Sequence, residues 1–170
     1  MNQSQQGAWW KEAVIYQVYP KSFYDSNNDG IGDIQGIIAK LPYLKTLGIT
    51  MIWVSPFYLS PGADNGYDIA DYYAVNPDLG QLQDIDDLIK QAGELGIGIM
   101  VDLVVNHTSD EHRWFQAALA DPASKYRDYY IFKPAVAGAA PNNWRSIFGG
   151  SAWEKVAGEE CYYLHVFHKK

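Results

Sequence analysis

The apolar residues gather into three short runs: Val14 to Tyr19, Ile49 to Val54, and Ile97 to Val105. They are rich in Val and Ile and do not alternate with polar residues. Runs of this kind predict parallel strands covered by helices on both faces. Between them the period becomes helical. Ile34, Ile37, Ile38, Leu41, Leu44 and Leu47 form one stripe. Asp33 stands where it can cap that helix, and Pro42 lies inside, where a proline kinks or splits a helix. Ile85, Leu88, Ile89, Ala92 and Leu95 form a second stripe. Asp84, Asp86 and Asp87 crowd its first turn, where the helix dipole favours acids.

Both stripes end alike, in Leu47-Gly48-Ile49 and Leu95-Gly96-Ile97: a glycine stop, then a strand. The order is βαβαβ with right-handed crossovers. A doubly wound sheet and a β/α barrel both fit. Polar residues collect after the strand ends, in Lys21 to Asp33, Ser55 to Asp71 and Asn106-His107. In either fold that edge carries the site.

After His107 the rhythm stops. Thr108 and Glu111 predict a capping box for a short helix reaching about Ala120, with Trp114, Phe115, Ala118 and Leu119 as its apolar side. From Asp121 the chain is rich in Gly, Pro, Asn and aromatics. Asp128 to Phe132 and Tyr162 to Phe167 are strand-like, and Ala135 to Ala140 is a surface turn. Residues 1–106 therefore hold the β/α units. Residues 107–170 are an insertion on the third strand or the start of a small separate domain.

Composition narrows the function classes. The chain has 170 residues, 48% hydrophobic, with formal net charge -7. This is a soluble globular balance, and its acidity argues against a nucleic-acid partner. Six Trp, thirteen Tyr and six Phe supply flat faces that suit sugar rings as well as cores. No G-x-G-x-x-G or Walker loop is present, so nucleotide-binding versions of the fold lose weight. The single cysteine, Cys161, excludes an internal disulfide and reads as an inert structural thiol. The opening residues lack a basic segment followed by an apolar core, and no run is long enough to span a membrane. A cytoplasmic protein with no membrane partner is the expectation.

The loop Asp25 to Asp33 is the first candidate for chemistry. It sets side-chain oxygens at Asp25, Asn27, Asp29 and Asp33 around the turn-forming Gly30. Alternating oxygen ligands around a glycine turn are what a hard cation needs. The first half fits an EF-hand, but Gly36 stands where the bidentate Glu should be. From the residues alone, a half-loop cation site with the Ile31 carbonyl filling in and a solvated Asn/Asp/Gly turn are both open. Asp102, in an apolar run, needs a partner, because a lone buried carboxylate is costly.

Several segments carry a family resemblance together: Trp9-Trp10-Lys11, Val14 to Pro20, Asp25 to Asp33, Trp53 to Pro56, Asp64 to Asp68, Asp102 to His107, and Gly149 to Trp153. On these the chain resembles glycoside hydrolase family 13, the α-amylase family. It is most similar to the branch of oligo-1,6-glucosidases, dextran glucosidases, α-glucosidases and sucrose isomerases. The resemblance implies an α/β fold: the N-terminal part, strands 1–3, of a (β/α)8 TIM barrel, plus the start of a domain B inserted after the third strand. It implies calcium (or magnesium) held structurally by Asp25, Asn27, Asp29, the Ile31 carbonyl and Asp33. It implies that Asp64, Tyr67, His107 and Phe167 line the subsite for a terminal glucose, with Asp102 and Asn106 in structural support. The partner would be an α-linked gluco-oligosaccharide.

The implied activity is retaining hydrolysis of terminal α-linked glucose. That chemistry takes a nucleophile and a general acid about 5 Å apart. In this family those residues lie on the fourth and fifth strands, beyond Lys170, and a complete barrel takes about 250 residues. The chain is therefore expected to be an N-terminal fragment, inactive and poorly folded alone. The alternatives are a non-catalytic sugar- or partner-binding remnant, and a sucrose isomerase or trehalose-phosphate hydrolase of the same family.

Overall fold

The computed structural model describes residues 8–169. The first seven residues, part of the opening segment inspected for a leader, and Lys170 lie outside the described residues. A 3-10 turn at Trp9–Lys11 precedes β1 (Ile15–Val18), α1 (Pro20–Phe23), α2 (Ile34–Thr46), β2 (Met51–Val54) and β3 (Tyr58–Leu59). Then come β4 (Asp71–Val75), α3 (Leu82–Glu94), β5 (Gly98–Val101) and α4 (Arg113–Ala120). A 3-10 turn at Arg127–Tyr129 leads to β6 (Phe132–Pro134), β7 (Trp153–Lys155) and β8 (Cys161–Leu164). Among the described residues no helix is long and apolar enough to cross a membrane.

The chain divides into two compact units. The first holds the chain up to Leu59 with Tyr73–Leu103; the second holds Ser60–Tyr72 with the chain from Val104 onward. The sequence reading placed everything through residue 106 together and so kept Ser60–Tyr72 with the β/α units.

In the first unit β1, β2 and β5 form a parallel sheet with β2 in the centre, Val18 opposite Val54 and Val54 opposite Val101. Helix α2 starts where the Asp33 carboxylate accepts the Gly36 N–H at 2.6 Å. That satisfies a donor the helix cannot satisfy itself. Ile34, Ile37, Leu41 and Leu44 are fully buried, each contributing about 1.5–3 kcal/mol. They pack with Val18, Ile52, Val54, Leu88 and Ala92. Both helices end as their sequences predict. Gly48 and Gly96 take φ of 79° and 65°, and the next residues, Ile49 and Ile97, donate back to Leu44 and Ala92.

Four expectations change here. Pro42 does not split α2, which runs unbroken. Pro42 itself is exposed. Leu47 caps the helix end and is 49% exposed instead of joining the stripe. The third strand stops at Val101, where its partner β2 ends; Leu103 and Val105 are exposed. The strands are not covered on both faces either: along β2, Ile52 and Val54 are buried while Met51 and Trp53 are only partly so.

The second unit has an antiparallel sheet in the order β6-β8-β7. On α4, Phe115 meets Tyr130 and Tyr163 edge-on, both at 5.0 Å. Arg127 ties the unit together: it donates to the Ala118 carbonyl at 2.6 Å, pairs with Glu159 at 2.6 Å, and lies 3.6 Å over the Phe132 ring. The helix cap differs from the capping box expected at Thr108. The cap is His112, and the Thr108 hydroxyl instead meets the Tyr130 hydroxyl at 2.9 Å. Asp128 falls in a 3-10 turn, so the strand expected there begins only at Phe132.

Candidate functional site

The turn Asp64 to Asp68 belongs to the second unit. Asn65 and Gly66 have φ of 53° and 95°, and the Tyr67 N–H donates to the Asp64 carbonyl at 3.0 Å. The turn is anchored by Asp68, which is 2% exposed. Its carboxylate accepts from the Ser60 hydroxyl at 2.8 Å and from the N–H groups of Ala63 and Asp64 at 2.7 and 3.0 Å. A buried carboxylate is tolerable only when so paired. Sequence reasoning assigned Asp68 no part. The available signal was an acid directly before an apolar residue, Ile69, at the exit of a glycine turn.

His107 is the meeting point. Its Nε2 lies 3.1 Å from the Tyr67 carbonyl, and its Nδ1 lies 3.1 Å from the Asn106 amide nitrogen. A carbonyl only accepts, so Nε2 carries the proton and Nδ1 accepts from Asn106. The Phe167 ring stands 4.8 Å from the imidazole, tilted by 45°. Phe148 lies 6.3 Å beyond it. Burial first, and then the Asp68 carboxylate, push the Asp64 carboxyl up, while His107 and His168 pull it down. The structure thus gathers Tyr67, Asn106, His107 and Phe167, with Asp64 tied to Tyr67 and within electrostatic reach of His107. A partly desolvated carboxylate, an oriented imidazole and aromatic faces can accept hydroxyls and stack on a flat apolar ligand face.

Asp102 lies in the first unit. The partner its burial demands is Trp53, whose indole N–H donates to it at 2.8 Å. Burial, and then Asp102, raise the Tyr58 hydroxyl above its ordinary value. Tyr72, Phe148 and His168 in the second unit were not singled out from sequence.

The Asp25 to Asp33 loop is also in the first unit. Asp25 accepts the N–H groups of Asn27, Asn28 and Gly30 at 3.1, 2.6 and 2.8 Å. The Gly30 N–H is the largest cause holding its carboxyl below the usual range. Asn27 accepts from Asp29 at 2.9 Å, and Asp29 from Ile31 at 2.8 Å. Asp33 accepts from the Ser26 hydroxyl at 2.8 Å as well as capping α2. The loop is wound around its own carboxylates. Its donors are all oxygens, the type a hard cation takes. Among the described residues no three His, Cys, Asp or Glu side chains gather as a metal cluster. The candidate set here also draws on the Asn27 amide and the Ile31 carbonyl.

Residues 17–170 match the family model of the alpha-amylase catalytic domain. The chain is 56% identical over 164 residues to the oligo-1,6-glucosidase of Parageobacillus thermoglucosidasius, covering 95% of this chain and 29% of that protein. Among solved structures it is similar to the trehalose-6-phosphate hydrolase of Bacillus licheniformis (TM-score 0.91, 52% identity, 94% of this chain and 29% of that one). It is also similar to the isomaltulose synthase of Protaminobacter rubrum (TM-score 0.94, 52% identity, 97% and 30%). The parallel β1-β2-β5 units are therefore the first part of a (β/α)8 barrel, with the start of the domain inserted after its third strand. The chain spans about 29% of the length of the curated relatives it matches.

Proposed function

Because this chain belongs to the alpha-amylase family, we propose that its protein is an α-glucosidase of the oligo-1,6-glucosidase kind, hydrolysing terminal α-linked glucose from short oligosaccharides with retention of configuration. Within it, Asp64, Tyr67, His107 and Phe167 form the subsite for the terminal glucose. The observation that carries this is the placement of His107, 3.1 Å from the Tyr67 carbonyl and 4.8 Å from the Phe167 ring. Asp64 accepts sugar hydroxyls, the Tyr67 and Phe167 rings pack on the pyranose, and His107 donates from Nε2 once the sugar competes for it. The nucleophile and general acid of a retaining mechanism are assigned to no residue of this chain.

Asp25, Asn27, Asp29, the Ile31 carbonyl and Asp33 would hold calcium or magnesium. Such an ion would neutralise the carboxylates of the loop and stiffen it before α2. Its part is structural, and no reaction step runs through it.

A second reading, hydrolysis of trehalose phosphate or isomerisation of sucrose, is favoured by the 52% identity to the trehalose-6-phosphate hydrolase and the isomaltulose synthase. Assaying the full-length protein on isomaltose, maltose, sucrose and trehalose 6-phosphate separates these. Glucose released from isomaltose, with kcat/KM reduced about 10- to 100-fold by His107→Ala, is the expected result. Turnover only of trehalose 6-phosphate, or isomerised sucrose, would select the second reading. Sugar binding without turnover would leave a non-catalytic module.

A further inference from the structure

We infer that Tyr72 is a positioning residue for His107, holding the imidazole in place without touching sugar itself. The Tyr72 hydroxyl lies 2.7 Å from the Val104 carbonyl and 2.8 Å from the His107 carbonyl. One phenolic proton thus serves two acceptors three residues apart, and it closes the turn that ends in His107. The same stretch holds its neighbourhood at two further points: the His107 Nε2 meets the Tyr67 carbonyl, and the Ser109 N–H donates to the Ile69 carbonyl at 2.9 Å. The Tyr72 ring is itself fixed, packed edge-on against the buried His112 at 5.8 Å. His112 caps α4 through the Trp114 N–H. The bracket matters because Val104 to His107 follows the end of β5 and has no strand ladder to define its backbone. Without the hydroxyl, two carbonyl oxygens lose a shared donor and the turn can open. A small displacement of a positioned group costs binding and rate well out of proportion to its size.

This role rests on the reading of His107 as a glucose-contacting residue. The test is a double-mutant cycle in the full-length protein, with kcat/KM for isomaltose and the melting temperature measured for Tyr72→Phe, His107→Ala and the pair. Tyr72→Phe alone is expected to lower kcat/KM roughly tenfold, and to cause no further loss once His107 is alanine. An equal loss in both backgrounds would overturn the inference. So would no loss for Tyr72→Phe where His107→Ala is severe, and the subsite reading would then survive. A harmless His107→Ala would sink the subsite reading and this inference with it.

If Tyr72→Phe does not fold, a fluorinated tyrosine at position 72, whose phenol ionises nearer neutrality, keeps the ring and the oxygen. The phenolate has no proton to offer the two carbonyls. A new alkaline limb in kcat/KM, absent from the His107→Ala background, is expected. An unchanged pH profile would overturn the inference.

Discussion

The Nδ1 atom of His112 accepts the backbone N–H of Trp114 at 3.1 Å, so α4 begins on a histidine acting as an acceptor cap. Only the neutral imidazole has that lone pair. His112 is 4% exposed, and its ring packs edge-on against Tyr72 and Trp114. Burial first, then Arg113, push its pKa below the ordinary 6.5, with Asp71 opposing. The unfolded chain therefore binds a proton more readily than the folded one. Stability linked to His112 is fully present above its unfolded value and is lost as pH falls through the lower folded value. The His112 contribution to the melting temperature should be flat above about pH 6.5 and fall below it. His112→Asn keeps a capping oxygen and should flatten that slope. An unchanged slope in melts from about pH 7.5 to about pH 4.5 would contradict this assignment.

Asp68 should be worth more to the site than its anonymity in the sequence suggests. Removing it strands a hydroxyl and two backbone N–H groups around Ser60, Ala63 and Asp64. Asp68→Ala should cost about 3 kcal/mol or more, read from chemical denaturation. Asp68→Asn keeps one acceptor and removes the charge. Because the Asp68 charge is one of the causes that raise the Asp64 pKa, that variant should lower the Asp64 midpoint. An NMR titration of the Asp64 carboxyl reads this directly.

Legibility followed the range of the interactions. The cap of α2 and the stops of α2 and α3 are local, and Asp33, Gly48 and Gly96 announce them in sequence. The parallel strands were legible because their apolar runs are continuous, though not their ends: Val101 ends β5 because β2 ends, a fact of the partner strand. His112 displaced Thr108 as the cap because its ring is packed by Tyr72 and Trp114, and Tyr72 is forty residues away from it in sequence. For the same reason Tyr72 escaped notice: the two carbonyls it holds belong to a chain segment that only folding brings near. The loop Asp25 to Asp33 was visible as a motif because its side-chain hydrogen bonds span seven residues or fewer.

Gly36 stands where a complete EF-hand would place a chelating glutamate, and its packing says why nothing larger fits. A β-carbon there would run into the Tyr24 carbonyl, which is backbone and cannot rotate away. The first turn of α2 and the chain after α1 are pressed together at this point. Gly36→Ala should destabilise the protein by about 3 kcal/mol or more, against a gain of up to about 1 kcal/mol for an exposed helix glycine such as Gly93, where a β-carbon meets open space. Comparable melting temperatures for Gly36→Ala and Gly93→Ala would show that the two segments separate freely.

Asp29 tests the cation reading because its structural bond is single and exposed: it accepts the Ile31 N–H at 2.8 Å. Asp25 and Asp33 cannot serve, since each holds several backbone donors and their loss would disturb the loop without any ion. In chelator, Asp29→Ala should melt within about 1 kcal/mol of the parent. With calcium at a hundred times its dissociation constant, the parent should gain about 2.7 kcal/mol and the variant nothing. The two arms separate a ligand from a turn residue. A loss in chelator equal to the loss in calcium would make Asp29 a turn residue only. A gain shared by both proteins would place the ion elsewhere. Magnesium in place of calcium should give a smaller gain, because it demands near-ideal octahedral geometry and a loop wound on backbone N–H groups adjusts poorly to that.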